Sequence, residues 1–86
     1  MEDRRLLNVE GGKGDHDPLY LRFSSEPVAL TKAFARGEVM LDLSETGEVI
    51  GIEMLNTDPD VFEVVAKLAA QHHLKLLPHL LPARSA

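Results

Sequence analysis

The stretch from Val39 to Leu55, VMLDLSETGEVIGIEML, decides the fold of this 86-residue chain. Apolar residues occupy alternate positions on both sides of a turn that contains Gly47. Side chains of a β-strand point alternately to its two faces, so a period of two is typical of strands with one buried face. Glycine tolerates the positive φ that tight turns need. The stretch therefore predicts a β-hairpin over residues 39–55.

The length of the hairpin loop decides which residues share a face. A four-residue loop, residues 44–47, pairs Leu41 with Ile50 and places the apolar sets of both strands together. A three-residue loop instead places Asp42 opposite Ile50 and brings a carboxylate onto the apolar face, which is unfavourable. We therefore expect the four-residue loop.

Three further strands and one helix are predicted outside the hairpin. Leu19–Phe23 alternates strictly, Val28–Lys32 forms a shorter strand, and Leu6–Val9 forms a weak first strand. A helix of about residues 58–74 begins after Thr57, a residue type that caps helices, and no breaker interrupts it. The fold class predicted is α+β: a small, mostly antiparallel sheet of three to five strands packed against one C-terminal helix.

Residues 1–86 are expected to form a single small domain, because this length supports only one core. The glycine-rich residues 11–14 indicate that residues 1–14 are partly flexible, and residues 75–86 form an apolar tail. The tail either folds back on the sheet or lies at an interface between two copies, the interpretation that we prefer. The leucines expected at that interface are Leu76, Leu77, Leu80 and Leu81.

Composition excludes several classes of function. The net charge is −5 and the basic residues are scattered, which argues against binding to nucleic acid. There is no cysteine, so disulfides, thiolate nucleophiles and cysteine-based zinc sites are excluded. No cofactor is expected. Residues 1–5 are mostly charged and no long apolar run follows, so we expect no secretory signal, no membrane association and a cytoplasmic location.

Three segments together resemble one family. Residues 17–23 read DPLYLRF, residues 39–43 read VMLDL, and residues 47–55 read GEVIGIEML. In order and spacing these segments are similar to the YuzE-like family, small bacterial proteins of unknown function. The resemblance covers roughly residues 15–57. It implies a compact α+β domain with a mostly antiparallel sheet and a helix, and it implies no particular activity.

The outer face of the predicted sheet carries the candidate ligand or partner site. Gly51, expected opposite Met40, leaves a shallow gap in this face. The candidate residues are Tyr20, Arg22, Asp42, Gly51 and Glu53. Alternatively, Asp42 and Glu53 balance the charge of Arg22 or Lys32 across the sheet. Such pairs are common on open sheet faces, and we favour this interpretation.

Histidines supply the other cluster. His72 and His73 are adjacent, so on a helix they point about 100° apart and do not chelate one ion together. His79 would have to fold back onto one of them, so we predict no metal site, and cationic imidazoles near a helix C-terminus suit the dipole instead.

The function predicted is a non-catalytic protein-interaction module that self-associates as a dimer and binds another protein. No catalytic residue is predicted, because no nucleophile, base and oxyanion set is recognisable. Two alternatives stay open. The chain is a small-molecule or metal-binding protein that uses the outer sheet face or the histidines, or it is an antitoxin-like regulatory partner.

Overall fold

A five-stranded antiparallel sheet is the centre of the molecule. The computed structural model describes residues 4–11 and 18–75. In spatial order the strands of this sheet are β2 (Asn8–Gly11), β3 (Leu19–Arg22), β6 (Val49–Met54), β5 (Val39–Leu43) and β4 (Leu30–Phe34). The sheet is open, so β2 and β4 are its two edges.

One helix and one small strand pair complete the described part. Helix α1 (Pro59–Gln71) packs against β5 and β6. Strand β7 (Leu74–Lys75) follows the helix and pairs in parallel with β1 (Arg4–Arg5). The pattern-based prediction of an α+β fold, with an antiparallel sheet and one C-terminal helix, is therefore confirmed. The β1–β7 pair was not predicted, because two-residue strands leave no periodic signal.

The core lies between α1 and one face of the sheet. Strand positions expected on the buried face are indeed buried, including Leu21, Leu41 and Ile52, each at most 1% exposed. The helix contributes Val61, Val65, Leu68 and Ala69, while Phe62 and Val64 flank this stripe and are partly buried. Hydrophobic burial of this kind is the main source of stability in a small domain.

The hairpin loop is shorter than the sequence pattern predicts. The backbone N–H of Ser44 donates to the carbonyl of Glu48 at 2.9 Å, which closes a three-residue loop. Gly47 closes the turn at φ 86° and donates to the carbonyl of Ser44 at 3.0 Å. The prediction of a four-residue loop was therefore wrong. A turn followed by a left-handed glycine is a common three-residue hairpin connection.

A β-bulge removes the objection to the short loop. Leu43 pairs with Val49 but Asp42 pairs with Gly51, so Ile50 is an extra residue with no partner on β5. The extra residue restores the alternation, and Asp42 stays on the outer face. Two smaller expectations change with it: Val49 is buried in the core rather than outward-facing, and Gly51 does not lie opposite Met40.

Element boundaries also differ from those expected. The strand expected at Val28–Lys32 is observed at 30–34, and the strand expected at Leu6–Val9 is observed as β2, at Asn8–Gly11. Asp58, not Thr57, is the residue that precedes the first helical position, and its side chain makes no capping hydrogen bond. The helix ends at Gln71, before the expected residue 74, because His73 adopts the left-handed conformation at φ 55°.

Within residues 4–11 and 18–75, no helix has the length and the apolar character needed to cross a membrane.

Candidate functional site

The outer face of the sheet, on the side away from α1, is built from two rows of side chains. In an antiparallel sheet, directly paired residues lie on the same face. Each row therefore runs across all five strands. One row consists of Asn8, Arg22, Gly51, Asp42 and Thr31. The next row consists of Glu10, Tyr20, Glu53, Met40 and Ala33.

Tyr20 leaves its own row and lies across Gly51. A Cβ built on Gly51 would overlap the ring of Tyr20, so only glycine leaves room for the ring there. The Tyr20 hydroxyl then donates to Oδ2 of Asp42 at 2.8 Å, on the far side of β6. The gap expected at Gly51 is therefore filled from within the protein by an aromatic ring.

Asp42 is held from two strands. Its Oδ2 accepts the hydrogen bond from Tyr20 on β3, and its Oδ1 accepts one from the Thr31 hydroxyl on β4 at 2.6 Å. Hydrogen bonds to an ionised carboxylate are stronger than bonds between neutral groups. Both carboxylate oxygens are thus engaged with neighbouring side chains, which links three strands through one residue.

Arg22 extends the network to the β2 edge. Its Nε donates to Oε2 of Glu10 at 2.8 Å, and its guanidinium carbon lies 5.1 Å from the centroid of the Tyr20 ring. That distance is within the range of a cation–π contact. Asn8 also donates to Oε2 of Glu10, at 3.4 Å. The network therefore crosses the whole sheet from β2 to β4.

The electrostatics follow from these contacts. Partial burial raises the pKa of the Tyr20 phenol, and the hydrogen bond to Asp42 and its negative charge raise it further. The hydrogen bond from Arg22 lowers the pKa of Glu10, and the same bond raises the pKa of Arg22. Tyr20 therefore stays protonated, and remains a donor, throughout the physiological pH range.

The structure brings together four of the five candidate residues on this face. Tyr20, Arg22, Asp42 and Gly51 form one contact network. Glu53 is half-buried beside them, and within the described ranges its carboxylate makes no hydrogen bond or ion pair. The donors and acceptors of the network are hydrogen-bonded to one another, and these bonds connect neighbouring strands.

Sequence reasoning missed three members of the network: Glu10, Asn8 and Thr31. Each lies on an edge strand, and its place in the rows follows only from the strand order and register. Nothing in the sequence around these three residues indicated that they belong to the network. Thr31 was inside the predicted Val28–Lys32 strand, but nothing in that segment indicated pairing with the strand that holds Asp42.

The histidine and tail predictions fall largely outside the described chain. His79 and the four tail leucines, Leu76, Leu77, Leu80 and Leu81, lie beyond Lys75. Within residues 4–11 and 18–75, no three histidine or acidic side chains gather closely enough to hold a metal ion. His72 follows the last residue of α1 and His73 lies in the turn after it.

The β4 edge is a second candidate surface. Strand β4 is at the margin of the sheet, and α1 does not cover it, so Leu30 is 52% exposed although its pairing with Leu43 places it on the helix side. Val28, just before the strand, is 48% exposed. An uncovered edge strand presents unpaired backbone N–H and C=O groups to another chain.

A pocket of about 310 Å³ lies at the N-terminal end of β4. Its walls are the segment 26–29 and the hairpin turn 44–46. Glu26 and Glu45 make the pocket acidic, while Pro27, Val28 and Ala29 give it an apolar wall. We call it the acidic pocket.

A family model described as a protein of unknown function, DUF2283, matches residues 14–57, about half of the chain. The matched segment runs from before β3 to the end of the β5–β6 hairpin and includes most of the outer-face network. The chain therefore belongs to this family. No curated protein and no solved structure matches it.

Proposed function

We propose that this protein is a non-catalytic interaction module that self-associates through the β4 edge. The observation that carries the proposal is an edge strand that α1 leaves uncovered, with Leu30 about half exposed on its helix side. Addition of a strand to an open sheet edge is a common mode of protein recognition. Two copies paired in this way would form one continuous sheet across a two-fold axis.

The polar outer face supports a structural rather than a ligand-binding role for its residues. Both oxygens of Asp42 accept hydrogen bonds from within the chain, and Arg22 is already paired with Glu10. A small ligand would have to break these contacts before it could form its own. This favours the interaction module over the small-molecule alternative.

The register of the proposed dimer follows from charge and apolar contact. A two-fold axis at Lys32 would place two lysines directly opposite each other, which is unfavourable. An axis at Thr31 avoids this, because it pairs Leu30 with Lys32 and Val28 with Phe34 of the other copy. The apolar stem of a lysine can cover a neighbouring leucine. Of these two registers, we propose the one with the axis at Thr31.

We also propose a bacterial origin, which the resemblance to the YuzE-like proteins supports. A chain without cysteine needs no oxidising compartment, which supports a cytoplasmic location. The four tail leucines beyond Lys75 offer an alternative interface between copies, and a chain that ends at Lys75 distinguishes this interface from the β4 edge.

The test is the mass in solution, measured by light scattering across a concentration series. We expect the wild-type chain at twice its 9.5 kDa mass, and Leu30→Lys at the mass of one chain. Leu55→Lys is the matched control, since Leu55 is 42% exposed but lies outside β4. Circular dichroism checks that each variant is folded.

A second arm uses a chain that ends at Lys75. If the dimer persists in this chain and is lost in Leu30→Lys, the β4 edge is the interface. If truncation alone produces the monomer, the interface is in the tail and the β4 proposal is wrong. A wild-type chain that is monomeric at every concentration would refute self-association altogether.

A further inference from the structure

We infer that the acidic pocket receives the side chain of Arg36 from a second copy of this chain. The inference rests on the proposed β4 dimer and adds a specific polar contact to it. Arg36 lies in the turn Ala35–Gly37, immediately after the C-terminal end of β4. The pocket lies immediately before the N-terminal end of the same strand.

Antiparallel pairing brings these two places together. When two copies of β4 pair about a two-fold axis, the start of one strand lies beside the end of the other. With the axis at Thr31, Val28 of one copy lies opposite Phe34 of the partner subunit. Glu26, two residues before Val28, then comes close to the turn that carries Arg36 of the partner subunit. The same contact then occurs twice, once at each end of the paired strands.

Charge complementarity favours this occupant. The pocket carries Glu26 and Glu45, and a guanidinium can bind a carboxylate with two parallel hydrogen bonds. Arg36 is exposed, and among residues 4–11 and 18–75 it has no acidic partner. The apolar wall formed by Pro27 and Val28 suits the aliphatic part of an arginine side chain.

The turn that carries Arg36 has an uncommon backbone. Ala35 and Arg36 have φ values of 51° and 58°, and Gly37 follows at 89°. Left-handed conformations are disfavoured for residues with a Cβ, and such strain concentrates at functional sites. The conformation holds Arg36 at the end of the sheet edge, where a second copy would meet it.

The test is a charge-reversal pair, with the dimer dissociation constant measured by analytical ultracentrifugation. Arg36→Glu and Glu26→Arg should each weaken the dimer at least tenfold, because each places like charges in contact. The double variant restores opposite charges and should return the constant to within about threefold of wild type. Lys67→Glu changes the net charge as Arg36→Glu does, but from an exposed position on α1, and should have little effect.

Disulfide cross-linking tests whether positions 26 and 36 of two copies lie close together, without a measurement of affinity. The chain has no cysteine, so Glu26→Cys combined with Arg36→Cys introduces the only two thiols. Under mild oxidation, this variant should form a disulfide-linked dimer, whereas Lys67→Cys combined with Arg36→Cys should not form a specific one.

The outcomes separate this inference from the proposed function. A wild-type dimer that is indifferent to both single reversals overturns the Arg36 contact and leaves the β4 dimer standing. Weakening by both reversals without recovery in the double variant also overturns the contact. A chain that never dimerises overturns both.

Discussion

Substitution of Gly51 by alanine tests how the outer face is built. The φ of Gly51 is not in the left-handed region, so an alanine there is not strained by its backbone. What excludes it is space, because the added methyl group would overlap the Tyr20 ring. Tyr20 would have to leave its position and would lose its hydrogen bond to Asp42. We predict that Gly51→Ala destabilises the protein.

The magnitude follows from three contributions. Forcing an extra methyl group into a packed site costs about 1–3 kcal/mol. Loss of a hydrogen bond to a charged group costs about 1.5–3 kcal/mol, with the lower end applicable to this half-buried pair. Replacing glycine within a strand returns about 0.5–1 kcal/mol. The net loss in the free energy of unfolding is about 2 kcal/mol, equivalent to a fall in Tm of roughly 10 °C for a domain of this size.

The assay is urea unfolding monitored by circular dichroism, in two backgrounds. In the wild-type background Gly51→Ala should lower the unfolding midpoint. In a Tyr20→Ala background the ring is absent, so the same change should be neutral or should stabilise by about 0.5–1 kcal/mol. Loss of the destabilising effect in the Tyr20→Ala background demonstrates the contact. Equal destabilisation in both would refute the reasoning, because the cost could not then come from the Tyr20 ring.

Three further predictions concern single residues. Tyr20 is the chain's single tyrosine and the chain has no tryptophan, so tyrosinate absorbance reports this phenol alone. Because the pKa of Tyr20 is raised in the folded state, its ionisation should begin well above the usual value of about 10. The free energy of unfolding should therefore fall as the pH rises past about 10. A rise in tyrosinate absorbance near pH 10 in the folded protein would contradict this. Asp42→Asn removes the charge that disfavours tyrosinate and should shift the same titration to lower pH. Gly47→Ala should lower the free energy of unfolding in urea by about 1 kcal/mol. Apart from its chain neighbours, no residue of 4–11 and 18–75 has an atom within 4 Å of the added Cβ, so only the positive φ opposes the change. A cost near zero would show that the turn rearranges freely.

The β-bulge shows where sequence reasoning about this fold succeeded and where it failed. Alternation of apolar residues was sufficient to find β3, β5 and β6, because each strand places a row of alternate apolar side chains in the core. The same rule, applied without a bulge, rejected the three-residue loop that the structure adopts. Val49 and Ile50 are consecutive apolar residues and both are buried, which strict alternation does not allow. Two consecutive buried residues are what a β-bulge permits, because it places two residues of one strand opposite one residue of its partner.

The polar network was only partly predictable for a related reason. Tyr20, Arg22 and Asp42 could be assigned to the outer face by counting along their strands. That Tyr20 crosses β6 to reach Asp42 could not, because the contact depends on the register at Gly51 and on the direction of the tyrosine side chain. Gly51 was correctly expected to leave space on the outer face, but that space is not open to a ligand, because the Tyr20 ring occupies it.

The two surfaces of this protein differ in the groups that they leave unsatisfied, and this difference favours the β4 edge over the outer face as the place where a second chain binds. On the outer face, the hydrogen bonds of Tyr20, Thr31 and Arg22 are made within the chain. At the β4 edge, apolar side chains are half exposed, and Arg36 lacks an acidic partner within the described ranges. A binding partner gains free energy where it buries apolar area or pairs a charge, and gains little where it must first replace existing hydrogen bonds. On this argument the outer face stabilises the sheet, and the edge is where a second chain gains the most by binding.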